Sequence, residues 1–470
     1  MAPHASSEET DKTSKEINKN TDTAHWKQNA SKKSSLPTKV FVHRNSVLTD
    51  LMEVNHLQTV YNISVAFVML LLLNSVMYYI VTPDTFWRDM KLIGWAAANV
   101  QLFIKCWISY HVLAFLVLYG FKTWIRVRNK INTKMADFVF LQMFIFASIL
   151  MFVATSYAMV TNGFRITIHL AIMSEQVRLY MKIYSFVRES VPRVLHYKPS
   201  KDGKQEHVLY PTASHYLYYL FAPVLIYRDS YPRKKDIQYK FVATSFFNFF
   251  SCIFIIFCGC MRFVVDVFQN TGIVQFTLKE AAMMLAGSMV AGTLMMFVIF
   301  YGLLHSWLNA FAELLRFGDR DFYQDWWNST SFSEYYRKWN AVVHDWLYTY
   351  VYMESINAGM SRSIALVIVF FVSSVFHEYI LSLSFGFFYP VLGVVYLSVG
   401  VPVIFLTKKK TTQLWNTFMW SMLFAGWGFV VFLYSIEWYA RANCKGTEDP
   451  ILDYFIPRSW SKSCHILSYS

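Results

Sequence analysis

Charge is scarce in this chain. Only 16% of its 470 residues are Asp, Glu, Lys or Arg, against about 25% in a typical soluble domain, which argues against a water-soluble enzyme of this length. Glycine and proline are sparse as well, 17 and 12 residues, so a collagen-like or low-complexity chain is excluded. The six cysteines are too few for a disulfide scaffold. None forms a Cys-x-x-Cys pair, so a structural zinc site has little support and no metal is expected. Cys106, Cys252, Cys258 and Cys260 lie in apolar stretches and read as inert core residues, whereas Cys444 and Cys464 lie in a polar C-terminal tail.

What is abundant is apolar surface: 55% hydrophobic residues, 19% aromatics and a mean hydropathy of +0.31. Several apolar runs exceed the roughly 18 residues that mark a membrane-spanning helix. The fold class expected is an all-α polytopic membrane protein. Nine segments qualify as spans, approximately 59–82, 92–121, 137–160, 164–185, 240–268, 280–305, 363–386, 388–406 and 414–436. The fourth is the weakest, because it contains Arg165, His169, Glu175 and Arg178. The stretch from Tyr216 to Tyr227 is too short to cross and reads as a re-entrant or interfacial piece. Residues 1–45 are rich in Ser, Thr, Lys and Asn and show no signal-peptide pattern. They read as a disordered cytosolic tail preceding one transmembrane domain, 46–470.

The net charge of +13 would point to nucleic acid on a soluble protein. Here the positive-inside rule explains it first, with anionic lipid or an anionic cofactor second, and no nucleic-acid partner is expected. With the N-terminus in the cytosol, the cytosolic gaps hold the cations: Lys122, Arg126, Arg128, Lys130 and Lys134 in one, nine Lys/Arg in 186–239, and Lys408, Lys409 and Lys410 in a third. The opposite gaps hold Arg88 and Lys91, then none, then Lys279. An odd number of spans then puts Cys444 and Cys464 in an oxidising compartment, where they are expected to pair; two free thiols are the alternative.

Two places carry chemistry. The sixth-to-seventh connection reads Phe322-Tyr323-Gln324-Asp325-Trp326-Trp327-Asn328. Phe322/Trp326 and Tyr323/Trp327 are i,i+4 pairs, which predicts an interfacial aromatic helix, in its plainest form a membrane-surface belt. Farther on, Arg337, Asn340, His344 and Tyr348 fall on one stripe of a helix. A polar stripe amid aromatics suits the wall of a wet cavity in which a guanidinium pairs with phosphate; an ordinary solvated face is the alternative. The second place is His377, inside the seventh span, with Ser373 and Ser374 on its face. An ionisable residue there marks a functional site by default, the alternative being a histidine bonded to a neighbouring helix. A zinc-protease reading of His377-Glu378 fails, because the second histidine it needs is Leu381. A base inside the bilayer beside a cationic, aromatic cytosolic rim suits a lipid-soluble acceptor arriving from the membrane and a large anionic donor arriving from the cytosol, as in acyl transfer from acyl-CoA to a lipid alcohol.

Phe322 to Asn328 matches the FYxDWWN motif of the membrane-bound O-acyltransferase superfamily, and His377 in His377-Glu378-Tyr379 resembles its invariant histidine. Longer strings resemble the sterol O-acyltransferases in particular: Trp327-Asn328-Ser329-Thr330-Ser331 running on to Trp339-Asn340 and His344-Asp345-Trp346, Ser185 to Glu189 with Val191-Pro192-Arg193, Tyr227 to Arg233, and Glu437 to Arg441. The similarity spans about 46 to 460.

The resemblance implies nine spans, an endoplasmic reticulum location, homodimers or dimers of dimers, and a luminal disulfide that fits Cys444 and Cys464. It implies esterification of a sterol such as cholesterol with a long-chain fatty acyl-CoA as co-substrate, with no permanently bound cofactor. It makes His377 catalytic and puts Asn340 at the reaction centre. Acyl-CoA contacts carry over to Arg337, Asn340, His344, Tyr352, Arg362 and Ser373. Glu334 stands near the donor where relatives have a polar neutral residue, and Arg362 where a lysine is expected. His56 resembles a residue near the sterol entrance, a plain interfacial histidine being the alternative. Two rival functions remain open at this point: a diacylglycerol or other lipid-alcohol acyltransferase, and a sterol transporter or sensor without chemistry.

Overall fold

The computed structural model describes residues 39–466, apart from 97, 129, 131, 164–165, 197–209, 462–463 and 465. Most of the expected tail, 1–38, therefore lies outside the described residues, as does Arg165. The described residues are almost entirely helical, with no strand beyond isolated bridges.

A short helix α1 (Val47–Leu51) leads into α2 (Asn55–Val81), α3 (Pro83–Ala96), α4 (Val100–Arg128), α5 (Thr133–Thr161) and α6 (Ile166–His196). The buried nine-residue α7 (Ala213–Phe221) precedes α8 (Tyr239–Phe268) and α9 (Leu278–Leu314). Two short helices, α10 (Phe332–Trp339) and α11 (residues 341–357), connect to α12 (Arg362–Phe385), α13 (Val391–Leu406) and α14 (Gln413–Asn443), and α15 (Pro450–Phe455) follows. Seven of these are long and apolar enough to cross a membrane: α2, α4, α5, α8, α9, α12 and α14. The other two predicted spans are also helices but miss that standard. α6 runs for 31 residues with Glu175, Arg178, Lys182, Arg188, Glu189 and Arg193 along it, and α13 is too short.

Local chemistry explains the helix ends. Thr277 and Glu280 form a reciprocal capping box at the start of α9, with N–H to oxygen distances of 2.7 and 3.2 Å. Ser361 accepts from the Ile364 N–H at the start of α12, and Gly386 ends that helix at φ 81°, a conformation that favours glycine. α9 and α14 pack backbone against backbone. A Cβ on Gly292 would lie 2.6 Å from the Trp427 carbonyl carbon, and one on Gly428 would lie 2.5 Å from the Met289 Cα. Small residues at a crossing permit that approach.

The stretch from Tyr216 to Tyr227 is enclosed by protein. Tyr216 and Tyr219 are fully buried, and the carbonyls that end α7 are held by cations from α6: Lys182 Nζ donates to Tyr219 O at 2.6 Å and Ala222 O at 2.7 Å, and Arg178 donates to Leu220 O at 3.0 Å. Irregular backbone at membrane depth is tolerated when it is satisfied in this way.

Three sequence expectations need correction. Phe322 to Trp327 is not a helix; only Trp326–Asn328 forms a single 3-10 turn. Backbone bonds to distant segments override the i,i+4 pattern, with Gln324 N–H donating to Lys338 O and Ala341 N–H to Phe322 O, both at 2.9 Å. The stripe from Arg337 to Tyr348 does not lie on one helix, because the chain breaks at Asn340 (φ −139°, ψ 85°) between α10 and α11. Residues 39–45, assigned to the tail on composition, lie against the body. The ring of Phe41 packs on Tyr231 and Phe317, and Arg44 pairs with Asp319 at 2.6 Å. The aromatic ring and the two cations of this segment meet partners distant in sequence.

Candidate active site

The three residues of the His-Glu-Tyr run on α12 face three directions. His377 Nδ1 lies 2.7 Å from the Ser373 carbonyl, one turn back, and 3.5 Å from Ser373 Oγ. A carbonyl oxygen only accepts, so Nδ1 carries the proton and Nε2 keeps its lone pair. The ring is accessible. The ring of Tyr396 stands edge-on to it, centroids 5.5 Å apart. Glu378 is buried, accepting from Gly393 N–H at 2.6 Å and from the Tyr434 hydroxyl at 3.2 Å, which ties α12 to α13 and α14. The Tyr379 hydroxyl donates to Gln176 at 3.1 Å and lies 3.3 Å from Ser156 Oγ, which ties α12 to α6 and α5. The imidazole thus sits on a helix braced from two sides.

Tyr396 lies in a π-helical stretch, Val395–Gly400. Two further π stretches border the site, Phe300–Trp307 in α9 and Tyr348–Tyr352 in α11. Such insertions recur at functional sites. Tyr336 on α10 connects the regions: its ring meets Phe370 of α12 at 4.9 Å and Tyr396 at 6.5 Å. Neither Tyr336 nor Tyr396 was singled out from sequence. Aromatics are too common here for their spacing to mark them.

Asn340 ends α10 and caps α11. Its Oδ1 accepts from Val343 N–H at 3.2 Å, which fixes the orientation of the amide. Its Nδ2 donates no hydrogen bond among the described residues and remains open to a ligand. Beside it, the motif residues form a buried aromatic block. Phe322, Tyr323 and Trp326 are at most 1% exposed, and Phe300 packs on Tyr323 (4.7 Å), Trp326 (5.1 Å) and Trp339 (5.5 Å). The carbonyl of Trp327 accepts from Asn416 and from the Trp420 indole, at 2.8 and 3.2 Å. Asp325 and Glu334 both bind Lys338 Nζ, at 2.8 and 2.7 Å. Burial lowers the Lys338 pKa, but the two carboxylates outweigh it and raise it overall. The Glu334 charge is therefore balanced within the fold.

The remaining residues expected to contact the donor lie between α9 and the start of α12, apart from Ser373 on α12 itself. Arg337 and Arg362 are exposed and have no acid partner among the described residues. The rings of His344, Tyr348 and Tyr352 form a near-parallel ladder, 6.0 and 5.4 Å apart. Asp345 Oδ1 lies 3.3 Å from His344 Nδ1. Burial raises the Asp345 pKa, yet the His344 hydrogen bond and the nearby Lys39 hold it below the usual carboxylate value. His56 is exposed near the start of α2, and no contact joins it to His377 among the described residues. An apolar groove of about 410 Å³ on α4 and α7, lined by Trp107, His111, Phe115 and Phe221 among others, contains none of the site residues. No cluster of three His, Cys, Asp or Glu able to hold a metal occurs among the described residues. Cys444 and Cys464 form a disulfide, Cα atoms 5.5 Å apart.

His377 stands on α12, Asn340 at the junction of α10 and α11, and Arg337 and Arg362 have no acid partner among the described residues, all within a multi-helical membrane scaffold. Residues 142–436 match the model of the membrane-bound O-acyltransferase family, and the chain belongs to that family and is an acyltransferase. Within the family the resemblance is to the sterol branch. The chain is 38% identical over 432 residues to sterol O-acyltransferase 1 of Chlorocebus aethiops, covering 90% of this chain and 78% of the relative. It is 36% identical to sterol O-acyltransferase 2 of Homo sapiens, covering 91% and 80%, and 37% identical to sterol O-acyltransferase 1 of Mus musculus, covering 90% and 79%.

Proposed function

We propose that this acyltransferase moves a long-chain acyl group from acyl-CoA to the 3β-hydroxyl of a sterol such as cholesterol, with His377 as general base. The observation that carries the reading is the Nδ1 bond from His377 to the Ser373 carbonyl, which leaves Nε2 as a free lone pair inside the scaffold. Nε2 takes the hydroxyl proton as the sterol oxygen attacks the thioester carbonyl carbon. The Asn340 Nδ2–H donates to the oxyanion that develops on that carbonyl. When the carbon–sulfur bond breaks, the CoA thiolate takes the proton back from the imidazolium, releasing ester and free CoA. General-base help of this kind contributes about 10²–10⁴-fold, and one oxyanion donor about 10²–10³-fold.

Arg337 and Arg362 supply positive charge for the CoA phosphates, and the His344–Tyr348–Tyr352 ladder offers flat surface to its head. Ser373 orients His377 through its carbonyl and is not the nucleophile. His56 is placed at the acceptor's approach. The protein sits in the endoplasmic reticulum as a homodimer or dimer of dimers, N-terminus cytosolic and C-terminus luminal. The basic gaps support that sidedness, and so does the disulfide, since thiols pair in oxidising compartments.

The test is purified enzyme in nanodiscs with labelled oleoyl-CoA, supplied with cholesterol or with diacylglycerol. Cholesteryl oleate and free CoA in equal amounts are expected. Triacylglycerol as the dominant product would transfer the site to another lipid alcohol. Sterol binding without CoA release would remove the chemistry altogether.

A further inference from the structure

The N-terminal segment 39–46 crosses the cytosolic-side connection as a strap, and its contacts concentrate on three carboxylates. Arg44 Nε meets Asp319 at 2.6 Å and its Nη2 meets Asp321 at 3.1 Å. Val42 N–H donates to Asp319 at 3.1 Å. Lys39 Nζ lies 3.8 Å from Asp321 and forms a close ion pair with Asp345. The backbone is pinned as well: Arg44 N–H donates to Gly318 O at 3.0 Å and Arg320 N–H to Arg44 O at 3.1 Å. Ser46, fully buried, accepts from Asn309 at 3.1 Å.

Asp345 is the residue that matters, because it faces both ways. Its Oδ2 holds Lys39, and its Oδ1 lies against His344 Nδ1. The carboxylate only accepts, so it places the His344 proton on Nδ1 and leaves Nε2 for a ligand. Three acids beside a site for a polyanion would also repel it, and the strap brings two cations to them. We propose that Lys39 is a positioning residue for the acyl-CoA donor, acting through Asp345 to orient His344 and to neutralise the acids beside it. The proposal rests on His344 being a donor contact.

The experiment measures initial rates of the full-length enzyme against acyl-CoA and, separately, against sterol, for Lys39→Ala, Lys39→Arg, Asp345→Asn, Lys39→Ala/Asp345→Asn and His344→Ala. Lys39→Ala is expected to raise the acyl-CoA KM by about five- to twentyfold, the scale of one charge-assisted contact, with kcat and sterol KM unchanged. Lys39→Arg restores the KM, and the double variant is less impaired than the sum of its parts, because both act through one chain. If His344→Ala raises the donor KM while Lys39→Ala does not, the strap has no such role. If Lys39→Ala lowers kcat or protein yield and Lys39→Arg fails to recover them, its role is structural and the proposal falls. If His344→Ala leaves the donor KM unchanged, the donor-contact reading itself is wrong.

Discussion

Two regions of this molecule carry equally recognisable motifs, and their atoms are used in opposite ways. In the aromatic block from Phe322 to Asn328, the side chains of Phe322, Tyr323 and Trp326 are buried, Asp325 is paired, and the Trp327 carbonyl is bonded twice. Around His377, one ring nitrogen is committed to Ser373 and the other has no partner among the described residues, and at Asn340 one amide atom caps a helix and the other has no partner among them either. A fully satisfied cluster gives shape and rigidity; a half-satisfied polar group in a braced setting is where substrate binds. On the proposed mechanism, the first region is the cradle and the second the chemistry.

The contrast can be broken experimentally. The largest effect should come from His377→Ala, with turnover lower by at least 10²–10⁴-fold while gel filtration and thermal unfolding in detergent match wild type; near-normal turnover would leave the proposed base without a role. Asn340→Asp comes next. An aspartate keeps the oxygen that caps α11 but removes the Nδ2 donor, so kcat should fall by about 10²–10³-fold with an unchanged melting curve. Recovery of kcat in that variant would reduce Asn340 to a helix cap. Trp326→Ala should behave in the reverse sense, costing about 3–5 kcal/mol of stability through an unfilled core site, with the kcat of the surviving folded enzyme within a few-fold of wild type. A specific loss of kcat with normal stability would move the aromatic block into the chemistry.

The smallest effect concerns α15. The Asp453 carboxyl is held below the usual carboxylate range, chiefly by hydrogen bonds from Arg458 at 2.7 and 2.9 Å. A depressed carboxyl pKa stabilises the fold above the unfolded value of about 3.9, and that gain disappears as pH falls through the folded value. Asp453→Asn should therefore lower Tm slightly at pH 7, and the gap to wild type should close as the pH is taken below about 4. A gap that persists at low pH would assign the effect to packing.

Helix existence and the position of His377 were legible in the sequence, because long apolar runs and an ionisable residue within one are large signals. The Cys444–Cys464 pair was legible from compartment logic. The Asn340 break was not, because the Arg337–Tyr348 stripe has good helical periodicity and the chain bends only to let Asn340 cap α11. The aromatic block misled for a related reason. Its i,i+4 rings satisfy a helical template, but tertiary hydrogen bonds from Gln324 and Ala341 decide the backbone. The strap was missed because Lys39 and Arg44 find their acids 306 and 275 positions away in sequence, beyond any local pattern.

The seam between α9 and α14 has a consequence for traffic. Where Gly292 and Gly428 meet, the two chains approach so nearly that even a methyl group has no room. A rigid ring system several ångströms thick has no doorway along that flank without prising apart two long helices. On the proposed mechanism, a sterol that reaches His377 would enter through another wall of the bundle.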